Sequence, residues 1–562
     1  MRRDRELTIR DHAVGAALML IYLALLIATA PDLGMSRDES FYAIAAESYA
    51  EWFDALVCGR DEAFYKEFID RVWRVNHEHP PLFKSLFSFS YLAHRAWGVF
   101  SHDSLSYRFF GMLSAGLLLW LIYIFGARSI GRSAGLFASL GFALMPRLFY
   151  HAHLAAFDVP IALMTTLVIY AYWRALTSLA WTLLLGVIFG MALATKHNSW
   201  VLPAIFAIHF SWVTVVELRA RKNGEGKSLG LVPYWLISML FIGPAIFIGS
   251  WPWLWTDTWP RIVEYVAFHA HHVYYNMAYF GVNYFRPPFP ISYPWVMTLF
   301  TVPLATLMLC VAGLALKLRP LLSYLFARKR AFSVRDATGD PRQTTLLFIG
   351  SMLAPLVLIA LPSTPIFGGT KHWLTAYPFV ALFAGVGFDR VSEALANRLP
   401  KKNALAAPLI CLALLLAPAV VETEHSHPFA LSHYGFAAGF VPGSADLGMN
   451  RQYWGYTTGS LVDFFNRRLH PGESVWLCDT TYKAWQMLSR DGRLKHTIRA
   501  APDIATADYA MVHHEQHFAE VDFQIWTVYG TVQPVYVLTY DGVPIISVYE
   551  NPKPRGRRSK TR

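Results

Sequence analysis

Six places in this chain gather ionisable side chains that could act together. Asp38-Glu39 is an adjacent acid pair, and Ser36-x-x-Glu39 has the spacing of a capping box that opens a helix across Phe41–Leu56. His79-Pro80-Pro81-Leu82-Phe83-Lys84 places a histidine and a lysine on either side of a stiff diproline. Arg147 and Asp158 bound one polar stretch, and Lys196-His197, Lys371-His372 and the trio His269, His271 and His272 mark three more. A carboxylate can take the proton of a hydroxyl nucleophile. Lys and Arg can stabilise the charge that grows on a departing phosphate. These residue types together fit transfer of a group from a phosphate to a hydroxyl.

Each also has a plainer use. The acid pair suits a helix N-terminus, Asp158 two residues before Pro160 suits a helix cap, and Lys84 and Lys196 suit snorkelling at an interface. His269 and His272 share a helical face, but no matching Cys or acidic spacing accompanies them for zinc. With Trp251, Trp253, Trp255 and Trp259 they read as an interfacial belt or a sugar-stacking wall.

The elements that must position these residues are membrane helices. The 562 residues are 55% hydrophobic and 15% charged, against about 25% charged in soluble chains. Charge-free runs recur between residues 13 and 421, with lengths near the ~20 residues that span a bilayer. They are Ala13–Ala30, Phe109–Ala127, Ser133–Pro146, Val159–Trp173, Ala175–Thr195, Asn198–Val216, Leu229–Trp255, Pro287–Leu316, Thr344–Pro362, His372–Phe388 and Asn403–Val421. A soluble enzyme, a disordered chain and a β-barrel are excluded. The first run is longer than the ~7–15 apolar residues of a signal peptide, so Ala28-Thr29-Ala30 is read as uncleaved.

Basic residues concentrate in alternate short loops: Arg128/Arg132, Arg174, Arg219–Lys222, Lys317–Arg342 and Arg390–Lys402. The positive-inside rule then makes the N-terminus cytoplasmic and puts the ionisable clusters outside. The net charge of +11 therefore reports topology, not nucleic-acid affinity. Only the basic tail Lys553–Arg562 runs against this assignment, and long translocated domains largely escape the rule.

Two domains are expected: 1–421, the membrane part, with 31–108 as a first external loop carrying interfacial helices, and 422–562, a small extracytoplasmic α/β domain with the basic tail. In the second, Ser474–Leu477 and Tyr509–Val512 read as buried strands and Tyr482–Ser489 as a helix. Gln533–Leu538 and Val543–Tyr549 around Asp541-Gly542 read as a hairpin. No Walker or GxGxxG phosphate loop occurs. Four cysteines are too few for a disulfide scaffold. Cys58 and Cys478, both outside, are expected as separate thiols.

The order of motifs now carries a resemblance. Asp38-Glu39 after the first span, His79-Pro80-Pro81-Leu82-Phe83-Lys84, Phe157-Asp158-Val159-Pro160 and Ala194-Thr195-Lys196-His197-Asn198 resemble the GT-C membrane glycosyltransferases over residues 10–420. The closest branch is the bacterial type of the protein O-mannosyltransferase and aminoarabinose transferase group, glycosyltransferase family thirty-nine. His427–Tyr434, Gly443-Ser444-Ala445 and Tyr453-Trp454-Gly455 resemble the segment that follows the membrane part in bacterial members.

The resemblance implies a mainly α, polytopic GT-C fold of about eleven transmembrane helices in a bacterial inner membrane. It also implies a polyprenyl-phosphate sugar donor, a lipid, glycan or protein acceptor on the external face, and inversion at the anomeric carbon. Asp38 matches the general base, and Glu39 would orient acceptor or sugar hydroxyls. Lys84, Lys196, Arg147 and Lys371 are the donor-phosphate candidates, and His79, Asp158, His272 and His372 the substrate-positioning ones. No cofactor is required, and the acid pair permits a divalent metal. Two alternatives stand beside this reading. A transporter or flippase of lipid-linked sugars predicts internal repeats and ionisable residues within spans, and neither is seen. A non-catalytic scaffold predicts that Asp38 and Lys84 are dispensable.

Overall fold

The backbone of an apolar segment in lipid must satisfy its own hydrogen bonds, so such segments become helices. In the computed structural model, which describes residues 6–222, 232–326, 342–366, 368–400 and 403–552, each of the apolar runs holds a helix. In chain order the helices of the membrane part are α1 (Ile9–Thr29), α2 (Arg37–Val57), α3 (Lys66–Trp73), α4 (Leu82–Trp97), α5 (Asp103–Ser129), α6 (Arg132–Ala143) and α7 (Pro146–Ala152). Next come α8 (Asp158–Ala175), α9 (Leu179–Leu193), α10 (Leu202–Lys222), α11 (Tyr234–Gly249), α12 (Thr258–Ala270), α13 (Tyr293–Thr301) and α14 (Leu304–Phe326). Then follow α15 (Thr344–Ala360), α16 (Tyr377–Ala396) and α17 (Ala407–Ser426). Five helical stretches are long and apolar enough to cross a membrane: Ile9–Asp32, Asp103–Ser129, His197–Arg219, Leu304–Leu322 and Ala404–Ser426. Shorter apolar helices cover Leu179–Leu193, Tyr234–Gly249 and Thr344–Ala360.

One expected span divides. Pro287–Leu316 is not continuous, because the chain leaves the helix at Val302 before Pro303 and resumes it as α14. A residue preceding proline is driven to extended backbone, and Val302 has ψ 135°. The basic cluster Arg328-Lys329-Arg330, Lys401-Lys402 and the tail Lys553–Arg562 lie outside the described residues.

Small residues let these helices approach closely. A Cβ on Gly313 would lie 2.0 Å from the Phe383 carbonyl oxygen, and one on Gly387 would lie 2.2 Å from that of Leu309. This locks α14 against α16 in the manner of small-residue seams in membranes. The bundle has two chemically distinct ends. At one, Asp11 at the start of α1 takes the Arg132 guanidinium and Ser133 donates to Asp389 (2.6 Å). At the other, Thr29 at the end of α1 bonds His153 (2.8 Å).

Beyond α17 the period changes from helical to strand-like. Five strands, β3 (Ser474–Leu477), β4 (Arg499–Ala501), β5 (Tyr509–His513), β6 (Tyr536–Tyr540) and β7 (Val543–Glu550), form one sheet in the order β4-β3-β5-β7-β6. A small hairpin, β1 (Met277–Tyr279) and β2 (Val282–Tyr284), sits in the loop after α12. The β3–β4 and β3–β5 pairs are parallel, and β7 runs antiparallel to both neighbours. Asp541 (φ 49°) and Gly542 (φ 76°) make the tight β6–β7 turn that Asp-Gly favours. β4 and the helix Ala519–Tyr529 carry no clear apolar alternation and are not legible in the sequence.

The sheet is docked, not tethered. From the helix Tyr482–Arg490, Lys483 and Arg490 both reach Glu47 of α2 (2.6 and 2.9 Å), and Arg490 also reaches Asp103 (2.6 Å). All four cysteines are free thiols, with Cys58 exposed and Cys478 buried.

Candidate active site

Asp38 and Glu39 open the same helix and meet different surroundings. The capping box forms: Ser36 N–H donates to Glu39 Oε2 (2.9 Å), and Ser36 Oγ accepts from Glu39 N–H (3.5 Å). Glu39 is fully buried and also accepts from Arg108 Nε (2.8 Å), Arg108 Nη2 (3.1 Å) and the Ala155 N–H (3.0 Å). Arg108 gives its remaining hydrogens to the carbonyls of Ala30, Leu33 and Gly34. A carboxylate offers about four acceptor sites, and all are taken. Expected to orient substrate hydroxyls, Glu39 here fastens the first turn of α2 to α5 and to the turn before α8.

Asp38 lies about 100° around the helix from Glu39. Its side chain is 25% exposed, and Oδ2 is 2.8 Å from Lys371 Nζ. Lys371 stands on a 3₁₀ turn (Gly369–Ala376) that links α15 to α16, and its ammonium also lies 4.1 Å from the Trp454 ring centre.

A second ion pair lies nearby. Lys196 Nζ donates to Asp158 Oδ1 (2.7 Å), and His151 Nδ1 is 3.9 Å from Asp158 Oδ2. Asp158 is not a cap: Phe157 takes the N-cap position, and the Asp158 carboxylate answers Lys196 instead of a helix N–H. Arg147 is buried, donates from Nε to the His433 carbonyl (3.3 Å), and lies 4.6 Å and 5.5 Å from the ring centres of Tyr434 and Tyr453. Arg147 Nη2, both ring nitrogens of His151, Tyr150 OH and Thr370 Oγ1 are buried and lack a hydrogen-bond partner among the described residues. Each such group costs about 1–3 kcal/mol, and a concentration of them beside two lysines and an arginine is a ready set of donors for an anionic oxygen-rich ligand. Burial pulls His151 down to about 4, against the opposing pull of Asp158.

The other expected residues divide. Lys84 is fully buried and donates to the carbonyls of Asn76 (2.5 Å) and His79 (2.7 Å). From the first turn of α4 it thus ties down the diproline loop. Burial draws the Lys84 ammonium down to about 7, with Glu78 acting in the opposite sense. His79 is half-buried; its ring lies 5.8 Å from Tyr42, 5.6 Å from Phe157 and 6.0 Å from His269. Burial, with Lys84 and Lys196 nearby, holds His79 well below its ordinary value. His269 and His272 do not share a helical face, because α12 ends at Ala270; His272 is half-buried and bonds the Val273 carbonyl (2.8 Å). His372 is half-buried on the Lys371 turn.

Among the described residues, no three His, Cys, Asp or Glu side chains converge in a way that holds a metal ion. Asp38 and Glu39 each face a protein cation.

Three participants escape sequence reasoning. Arg108 reads as an interfacial residue at the head of an apolar run, yet it is buried. Trp454 reads as part of a post-membrane segment, yet it touches Lys371. Asp479, at the end of β3, accepts from Arg37 Nη1 (2.5 Å). Burial raises the Asp479 carboxyl to about 6 against the pull of Arg37. No local pattern links residues 37 and 479; only the docking of the sheet does.

Residues 78–225 match the family described as dolichyl-phosphate-mannose-protein mannosyltransferase. A comparison with curated proteins found no match. Among solved structures, the chain is similar to ArnT from Cupriavidus metallidurans bound to undecaprenyl phosphate, with 15% identity, a TM-score of 0.42, and 95% of this chain and 97% of that chain covered. The apo state of the same protein gives 15% identity, a TM-score of 0.45 and coverage of 95% and 98%. The Archaeoglobus fulgidus oligosaccharyltransferase in its apo form gives 13% identity, a TM-score of 0.48 and coverage of 93% and 71%. The chain is a mainly helical, multi-pass membrane protein similar to the GT-C glycosyltransferases of the protein O-mannosyltransferase kind, with residues 78–225 matching that family directly.

Proposed function

We propose that this chain transfers a sugar from a polyprenyl-phosphate donor to a hydroxyl acceptor at the external face of the membrane, with inversion and with Asp38 as general base. The observation that carries the reading is a partly exposed carboxylate set against Lys371, beside a second Asp–Lys pair and a cluster of buried polar groups without partners among the described residues. The description of the matched family, a lipid-phosphate sugar donor, supports the donor class.

The chemistry is a single displacement. The acceptor oxygen attacks the anomeric carbon from the face opposite the phosphate, its proton passes to Asp38, and the bond from the anomeric carbon to the phosphate oxygen breaks. Negative charge then collects on the lipid phosphate. Lys371, Lys196 and Arg147 lie where they can stabilise it in a site with little water, which is where preplaced charge acts most strongly. Asp38 is the more accessible base, because its side chain is 25% exposed against 9% for Asp158. While Lys371 stays on Asp38 the carboxylate is quenched; an arriving phosphate competes for that ammonium and frees the base.

The test is reconstitution of the purified full chain in proteoliposomes with polyprenyl-phosphate hexoses and pentoses and hydroxyl acceptors. Release of polyprenyl phosphate with a product of opposite anomeric configuration is expected. No release from any donor, or retention of configuration, contradicts the proposal.

A further inference from the structure

We infer that Trp454, from the segment that follows the last apolar helix, is a positioning residue that holds the Lys371 ammonium in register for both Asp38 and the donor phosphate. This rests on the functional reading above. Trp454 is tied to both halves of the centre. Its carbonyl accepts the Arg37 N–H (3.0 Å), one residue before Asp38, and its ring faces the Lys371 ammonium at 4.1 Å. Trp454 is 5% exposed, and its ring centre lies 5.9 Å from that of His151.

The backbone on both sides is shaped to admit it. Trp454 adopts φ 58°, a region that bulky residues rarely enter and that persists only where the surroundings impose it. Opposite stands Gly368 (φ 78°), where a Cβ would lie 2.1 Å from the Trp454 ring and 2.7 Å from Lys371 Cε. Next to it, a Cβ on Gly369 would meet the Tyr453 ring at 3.2 Å and Arg147 Nη1 at 3.3 Å. The two glycines that precede Lys371 thus open the slot into which Tyr453 and Trp454 insert, one ring against each cation. An aromatic face attracts an ammonium through its quadrupole, most strongly when water is excluded. An aliphatic wedge of similar volume would fill the slot without that attraction.

The test measures binding of undecaprenyl phosphate to the detergent-solubilised full chain. Trp454→Met should weaken it about tenfold, whereas Trp454→Phe, which keeps a π face, should stay within about threefold. In a Lys371→Met background, Trp454→Met should cost nothing further, because the two residues act as one unit. Trifluorotryptophan at 454 keeps the shape and weakens the quadrupole, so it should reproduce the Met effect even if Trp454→Met does not fold. Equal losses in Met and Phe, full additivity with Lys371→Met, or no effect of fluorination overturns the inference while leaving the functional reading intact. Failure of the wild-type chain to bind undecaprenyl phosphate overturns both.

Discussion

The Glu39–Arg108 clamp and the Asp38–Lys371 centre lie one residue apart in sequence and at opposite extremes of solvation. In the clamp, every acceptor site of the carboxylate is filled and neither side chain exceeds 1% exposure. In the centre, the carboxylate is a quarter exposed, its lysine also faces an aromatic ring, and nearby buried donors lack partners among the described residues. Lys84 and Lys371 differ in the partners they meet: the first donates to two backbone carbonyls, and the second meets the Asp38 carboxylate and a π face. Saturated polar groups specify where the α2 helix starts; unsaturated ones are available to a ligand. A rigid mount next to an incompletely satisfied site is what preorganised charge stabilisation requires.

This contrast can be broken from either side. The largest effect belongs to the clamp. Glu39→Gln leaves Arg108 buried without a counter-ion, and loss of one member of such a pair costs about 3–5 kcal/mol. The folded fraction recovered in detergent should collapse accordingly, while activity per folded molecule stays within a few-fold of wild type. A folded, stable Glu39→Gln variant without activity would move Glu39 back into the chemistry. Next is Lys371→Met, expected to weaken donor use by about ten- to a hundredfold in kcat/KM, as removal of a charge-assisted contact of about 1.5–3 kcal/mol would. Its melting temperature should be near that of wild type, and a large drop would make Lys371 structural. Smaller is Gly368→Ala, which forces a Cβ into the Trp454 ring and should lower donor affinity about tenfold, the scale of the lost cation–π contact; unchanged affinity would show that the slot is not tight.

A pH dependence at Lys84 tests the buried lysine of the contrast. Burial lowers its folded value to about 7 from an ordinary 10.5. Between these pH values the unfolded chain binds the proton that the folded chain has released, so stability should rise with pH across that window. It is lost as pH falls through the folded value. Thermal unfolding of wild type against Lys84→Met, with the Met variant flatter from pH 7 upward, measures it; identical slopes would contradict the assignment.

The fold was legible where sequence pattern and solvent agree. Apolar runs in lipid have one backbone solution, so helices followed from composition, and Asp541-Gly542 announced its hairpin through φ alone. The capping box at Ser36 and Glu39 was legible for the same local reason. What was not legible depended on distant chain. Arg108 looked like any charged residue at a helix head, and its burial required Glu39 from 69 residues away. Lys84 looked like a phosphate ligand because its type and setting suited one, but a loop folded back over it and supplied carbonyls. Asp479 and Trp454 enter the neighbourhood of Asp38 only because the sheet docks through Glu47, Asp103 and Arg37.

The central claim is that Asp38 removes the acceptor proton while its neighbour Glu39 only mounts it. The direct measurement is sugar transfer by purified, folded Asp38→Asn in proteoliposomes, with undecaprenyl phosphate binding recorded on the same preparation. The account predicts that transfer falls by about 10²–10⁴-fold, the typical worth of a general base, while lipid-phosphate binding persists. Transfer at the wild-type rate by Asp38→Asn would contradict it.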